Sequence, residues 1–215
     1  RIILIAGLGL VVVGKSVKEV KIAADIYQHT INIIRKAFNV GRFAPLKDND
    51  LFDMEYWSLE QAKLGRSKPA LAQGKIVYIT GAASGIGRAT AKLFAENGAN
   101  LFLVDLNGEA LSAEVEKLRK RYKTGILFQV TDVTNEKAVR KSFEHLTKEF
   151  GGLDILISNA GNAVRGKIGE VDSATLRKSF ELNFFAHQTL ASQAVQLFKK
   201  QKTGGVLLFN ASTAA

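Results

Sequence analysis

A glycine-rich turn between an apolar strand and a helix constrains this chain more than any other feature. Ile76-Val77-Tyr78-Ile79 leads into Thr80-Gly81-Ala82-Ala83-Ser84-Gly85-Ile86-Gly87-Arg88, and Ala89 to Glu96 follows with helical character. The backbone N–H groups that open such a helix lack intrahelical partners and carry the positive end of its dipole, so they suit a pyrophosphate. Gly81 permits the tight turn, Gly85 lets a phosphate approach, and Gly87 lets helix and strand pack closely. Ser84 and Ile86 lie between them on the same turn.

A second signal lies where the first requires it. Asn100-Leu101-Phe102-Leu103-Val104-Asp105 reads as a buried strand ending in a carboxylate, with Leu106 following. That is about 20 residues beyond the glycines, the spacing of a dinucleotide fingerprint. A carboxylate there accepts hydrogen bonds from ribose hydroxyls and repels a 2′-phosphate. Asp105 therefore points to NAD rather than NADP, and Ser84 offers no guanidinium to a 2′-phosphate.

Composition narrows the class. The 215 residues are 47% hydrophobic and 23% charged, in the range of a globular chain. With no cysteine, disulfides and cysteine-held zinc are excluded, which fits a cytoplasmic protein. His29, His145 and His187 lack metal-ligand spacing and read as surface or capping residues, so no metal site is expected. The net charge of +10 is spread along helical segments. Its densest group, Lys117, Arg119, Lys120, Arg121 and Lys123, adjoins Glu114 and Glu116 and reads as a solvated helix face rather than a nucleic-acid surface. The apolar run Ile2 to Val13 is shorter than the roughly 20 residues a membrane helix needs. It reads as a buried strand with a glycine turn. The absence of an initiator Met suggests a chain entered partway through a larger protein.

Two regions are expected, a connector over residues 1–73 and a nucleotide-binding domain over 74–215. In the first, a helix starts near Ser16 with Glu19 at capping-box spacing and ends in the breaker cluster Gly41 to Asp50. A shorter helix is expected from Asp53 to Leu64, then a linker to Gln73. In the second, strands over 75–80, 100–105, 125–130, 153–158 and 205–210 alternate with helices over 85–97, 109–122, 136–150 and 173–200. That alternation predicts an α/β, Rossmann-type doubly wound parallel sheet of order 3-2-1-4-5.

From Lys75 onward the chain resembles the short-chain dehydrogenase/reductase family. The carriers are Thr80-Gly81 with Gly85 and Gly87, Asp132-Val133, Asn159-Ala160-Gly161, Asn183 within Glu181 to Phe185, and Ser212 after Asn210-Ala211. The resemblance implies that Asp132 and Val133 border adenine and that Asn159, Ala160 and Gly161 support the sheet beside the cofactor. It implies that Asn183 holds a water in a proton relay and that Ser212 bonds the substrate oxygen. Gly7-Leu8-Gly9 and the segment Leu51 to Leu64 look like the connector of bifunctional rhamnulose-1-phosphate aldolase/alcohol dehydrogenases. That narrower likeness implies a small carbonyl/alcohol substrate, such as lactaldehyde.

The family's acid/base Tyr and its Lys, spaced Tyr-x-x-x-Lys, are expected after the serine, and the sequence stops at Ala215. This reads as a truncated, split or engineered fragment with little turnover. Apolar surface on the fifth strand and the long helix is expected to be exposed and to favour a homo-oligomer. Two other readings stand beside the oxidoreductase. One is a non-catalytic nucleotide-binding or assembly module. The other is a P-loop NTPase, because Gly9-Leu10-Val11-Val12-Val13-Gly14-Lys15-Ser16 fits that pattern formally, although successive valines resist a phosphate nest. Asn210-Ala211-Ser212 also spells a glycosylation sequon, read as chance.

Overall fold

A computed structural model describes residues 1–14, 17–55, 70–164, 166–167 and 169–212. The chain forms two compact units, Arg1–Ala70 and Leu71–Ala215.

In the first unit, β1 (Ile2–Ile5) pairs antiparallel with β2 (Gly9–Val12), Ile2 opposite Val12 and Ile5 opposite Gly9. Gly7 and Gly9 at φ +77° and +118° turn the chain back on itself. The apolar run is therefore a hairpin, not one buried strand, and Ile3, Leu4 and Leu8 are exposed. Pairing with itself satisfies the backbone without an enclosing sheet. Gly9–Val12 being extended and paired, its backbone is not curled around an anion, which removes the structural basis of the P-loop reading; Lys15 and Ser16 lie outside the described residues. Helix α1 (Val17–Val40) follows, then α2 (Asp48–Glu55). The second helix starts earlier than expected because Asp48 and Asp50 favour the positive end of a helix. The remainder of the expected helix, residues 56–64, lies outside the described residues.

The second unit runs β3 (Ile76–Thr80), α3 (Gly85–Glu96), β4 (Asn100–Asp105), α4 (Gly108–Arg121), β5 (Ile126–Val130), α5 (Glu136–Phe150) and β6 (Ile155–Ser158). Then come α6 (Ser173–Phe180), a π-helical turn (Glu181–Phe185), α7 (Ala186–Gln201) and β7 (Val206–Phe209). The five strands are parallel in the order β5-β4-β3-β6-β7, which is 3-2-1-4-5 counted from β3, as expected. Residues 71–73, read as the end of a linker, form a turn of this unit together with Gly74. Ala72 is buried in its core, and its amide bonds the Asn97 carbonyl at 3.1 Å.

Strand side chains alternate between faces, so the sheet has two cores. Val77, Ile79, Leu101 and Leu103 pack against Ala91 and Ala95 of α3 and Leu111, Val115 and Leu118 of α4. Tyr78, Phe102, Val104 and Leu156 pack against Val139, Phe143 and Leu146 of α5 and Ala186, Leu190, Ala194 and Phe198 of α7. Asn107, Asn135 and Asp172 cap α4, α5 and α6 through their side-chain oxygens. The basic group at the end of α4 is not wholly a solvated face: the Arg119 guanidinium donates to the Ile126 carbonyl.

The long helix expected over 173–200 is interrupted by the π turn, which carries Asn183. As expected, Phe180, Phe184 and Phe185 on it and Val206 and Leu208 on β7 are exposed. Among the described residues no helix is long and apolar enough to cross a membrane.

Candidate functional site: a crevice at the strand ends

All five strands are parallel, so their carboxyl ends share one edge of the sheet, where ligands of open α/β folds bind. The glycine turn joins β3 to α3 on that edge. Gly81 and Gly85 sit at φ +64° and +51°, a region that L side chains rarely enter. A Cβ on Gly85 would meet nothing within 4 Å, so the surface before it is open. A Cβ on Gly87 would overlap the Gly81 carbonyl oxygen. Ser84 takes the N-cap position of α3 in extended conformation and gives no side-chain capping bond. Helix geometry leaves the amides of Gly85, Ile86 and Gly87 without intrahelical carbonyls, and Ile86 is exposed beside them. Open approach, orphan amides and the positive end of a helix together fit a diphosphate.

Asp105, at the end of β4, holds the glycine turn in place. Its Oδ2 accepts the Ala83 amide at 2.9 Å and its Oδ1 the Asn107 amide at 2.9 Å. The carboxylate thus ties the glycine turn to the next loop, and each oxygen keeps accepting capacity for a hydroxyl. Leu106 beside it is 71% exposed, an apolar surface against which a base could lie. At the end of β5, Asp132 Oδ1 accepts from the Thr134 amide at 2.9 Å and its hydroxyl at 2.7 Å, while Val133 is buried. These bonds shape the loop that lies beyond β5 on the same edge.

The exit of β6 is held by a polar hub that the motifs did not reveal. Thr80, fully buried, accepts the amides of both Asn159 and Ala160 on its Oγ1 at 2.8 Å. Asn159 Nδ2 donates to the Thr80 carbonyl at 2.9 Å, and its Oδ1 accepts from Asn210 Nδ2 at 2.8 Å. The amide nitrogen of the sequon is thereby engaged by Asn159. A Cβ on Gly161 would meet Asn183 Oδ1 at 2.9 Å. Asn183 clasps Asn162 with both ends of its amide: Oδ1 accepts the Asn162 N–H at 3.1 Å and Nδ2 donates to its carbonyl at 2.8 Å. π turns recur at functional positions, and this one aims Asn183 at the β6 exit. Ser212 follows β7 and is exposed.

Direct bonds thus join Thr80, Asn159, Ala160 and Asn210 in one group, Asn162 and Asn183 in a second, and Ala83, Asp105 and Asn107 in a third. Leu106, Asp132, Val133 and Ser212 lie at the same edge. Tyr78 is remote in role: its hydroxyl lies 2.6 Å from Ser142 Oγ within the core, and burial raises its pKa well above the ordinary value. Among the described residues no cluster of ligating side chains could hold a metal ion.

Two histidines depart from the surface reading. His145 Nδ1 lies 3.0 Å from Gln129 Oε1, and its ring meets Phe102 edge-on. His187, half-buried, places Nδ1 2.7 Å from the buried Ser158 Oγ. Burial lowers its pKa, partly opposed by a hydrogen bond to the Ala160 backbone, so the ring is neutral at neutral pH. A lone histidine in a helical run gives no sequence signal for such a contact.

Residues 75–215 match the short chain dehydrogenase model, and residues 1–64 match the second domain of class II aldolases. The chain belongs to the short-chain dehydrogenase family. It is similar to the uncharacterized oxidoreductase YuxG of Bacillus subtilis, 34% identical over 215 residues, covering 97% of this chain and 31% of that protein. It is also similar to the diacetyl reductase [(S)-acetoin forming] of Staphylococcus epidermidis, at 34% over 140 residues, covering 65% of this chain and 54% of the reductase. A short-chain type dehydrogenase/reductase of Mycobacterium marinum superposes with TM-score 0.63 at 28% identity, over 65% of this chain and 56% of that one. The chain therefore spans from about a third to about half the length of these relatives.

Proposed function

We propose that residues 74–215 form the cofactor-binding part of an NAD-dependent oxidoreductase acting on an alcohol/carbonyl pair, with residues 1–73 as its connector. The substrate class is a small hydroxyaldehyde such as lactaldehyde. The observation that carries this reading is the open helix start at Gly85 with Asp105 tied to the same turn at Ala83. When bound, the nicotinamide supplies or accepts the hydride. The chain's own residues bind and orient it: the amides of Gly85 to Gly87 at the diphosphate, Asp105 at the adenosine ribose, Leu106 and the Asp132–Val133 loop at adenine. Asn159, Ala160 and Gly161 border the nicotinamide end. Ser212 bonds the substrate oxygen, and Asn183 holds a water for the proton relay. The match of residues 1–64 to an aldolase domain and the relative named for diacetyl both favour a small carbonyl compound. We place the protein in the cytoplasm as a homo-oligomer.

Asp105 gives the sharpest test. The chain is expected to bind NADH at least ~10-fold more tightly than NADPH, since a charged hydrogen bond is worth about 1.5–3 kcal/mol. Asp105→Asn is expected to weaken NADH binding by about 10-fold and to shrink the preference, because repulsion of the 2′-phosphate goes with the charge. Fluorescence titration of both nucleotides reads this. Tighter binding of NADPH by the unaltered chain would contradict the assignment.

A further inference from the structure

We propose that His187 is a positioning residue for the nicotinamide end of the crevice, latching the helix that carries Asn183 onto the exit of β6 through Ser158. The inference deepens the cofactor reading above and rests on it.

The π turn and the start of α7 cross the β6 exit with two contacts, one helical turn apart. Asn183 grips Asn162, and His187 grips Ser158. Between those holds lie Asn159, Ala160 and Gly161. The Ala160 peptide is fixed by its amide on Thr80 Oγ1, two residues beyond the Ser158 that His187 holds. Gly161 has no side chain of its own, and Asn183 Oδ1 fills the place a Cβ would take. Ala186 and Leu190 seat the helix in the core, and the two polar holds fix its start against the strand exit. The Phe209 ring of β7 lies 6.2 Å from the imidazole, tilted against it. A neutral imidazole has one N–H and one lone pair, and either can pair with the Ser158 hydroxyl, which both donates and accepts. An aliphatic residue would fill the space yet leave Ser158, fully buried, without this partner.

A purely structural histidine would only satisfy Ser158, and a mutant cycle on the full chain separates the two roles. His187→Leu is expected to lower the melting temperature, weaken NADH binding by about 10-fold and speed amide exchange at Ala160 to Asn162, the cost of a lost buried hydrogen bond. His187→Gln, which keeps a donor and an acceptor, is expected to retain most of the affinity and protection. Combining His187→Leu with Ser158→Ala removes both polar partners, so the melting temperature is expected to recover while affinity and protection stay reduced. Recovery of both in the double variant, or no loss in His187→Leu, would overturn the latch. If the unaltered chain binds no NADH, the cofactor reading fails, and amide exchange at residues 160–162 alone decides the latch.

Discussion

Gly87→Ala is expected to abolish measurable NADH binding and to cost about 3 kcal/mol of stability, as forced overpacking does. The added methyl would overlap the Gly81 carbonyl and lie 2.7 Å from Asn159 Nδ2. Neither can retreat freely. Gly81 is held in left-handed conformation with Asn159 and Ala160 close behind it, and Asn159 is bonded to Thr80 and Asn210. Helix α3 must therefore lift from the turn, carrying the amides of Gly85 to Gly87 away from the diphosphate position. Gly85→Ala is the matched control. Its methyl meets open space, so only the positive φ of +51° resists it, at about 1 kcal/mol. That variant is expected to stay folded yet bind poorly, since the methyl stands where the phosphate approaches. Melting curves with parallel NADH titrations distinguish the pair. Equal stability of Gly87→Ala and the unaltered chain would contradict this packing account.

Thr80→Val is expected to destabilise the sheet domain by roughly 3 kcal/mol, because two half-buried amides lose their acceptor at about 1–3 kcal/mol each. Shape is nearly conserved, so the loss isolates the hydroxyl. The amides at risk belong to Asn159 and Ala160, and the β6 exit would loosen where the cofactor's nicotinamide end is proposed to lie. Thr80→Ser keeps the oxygen and is expected to recover most of the stability. Urea unfolding measures both variants. A Thr80→Val loss below about 1 kcal/mol would mean that water or a shifted backbone replaces the hydroxyl.

The sheet was legible because each strand is a short apolar run followed by a helix of the right period. β4 falls on residues 100–105, as read, since every position but its last is buried. The other strands lose a residue or two at their ends, where Lys75, Gly125, Leu153, Asp154, Gly205 and Asn210 lie just outside the strands. The glycine turn and Asp105 were legible for a different reason: backbone conformation and a carboxylate at a fixed offset leave little freedom of residue type.

The rest is invisible to periodicity. A π turn adds one residue to a helical turn without changing its composition, so residues 181–185 looked like helix. The hairpin at Ile2 to Val12 has the composition of one buried strand, and only the positive φ of its glycines reverses it. Thr80 and Asn210 act through partners far away in sequence, and so does His187 toward Ser158. No local pattern encodes such a pairing.

The central claim is that the helix start after Gly85 holds a diphosphate and Asp105 the neighbouring ribose. Mapping backbone amide shifts of the full chain during an NAD titration tests it most directly. The account predicts that the largest changes fall on Gly81 to Gly87 and on Asp105 to Asn107. Saturable shifts confined to another surface, such as the helical groove lined by Glu136, Arg140, Gln188 and Gln193, would contradict it, as would no shifts at all.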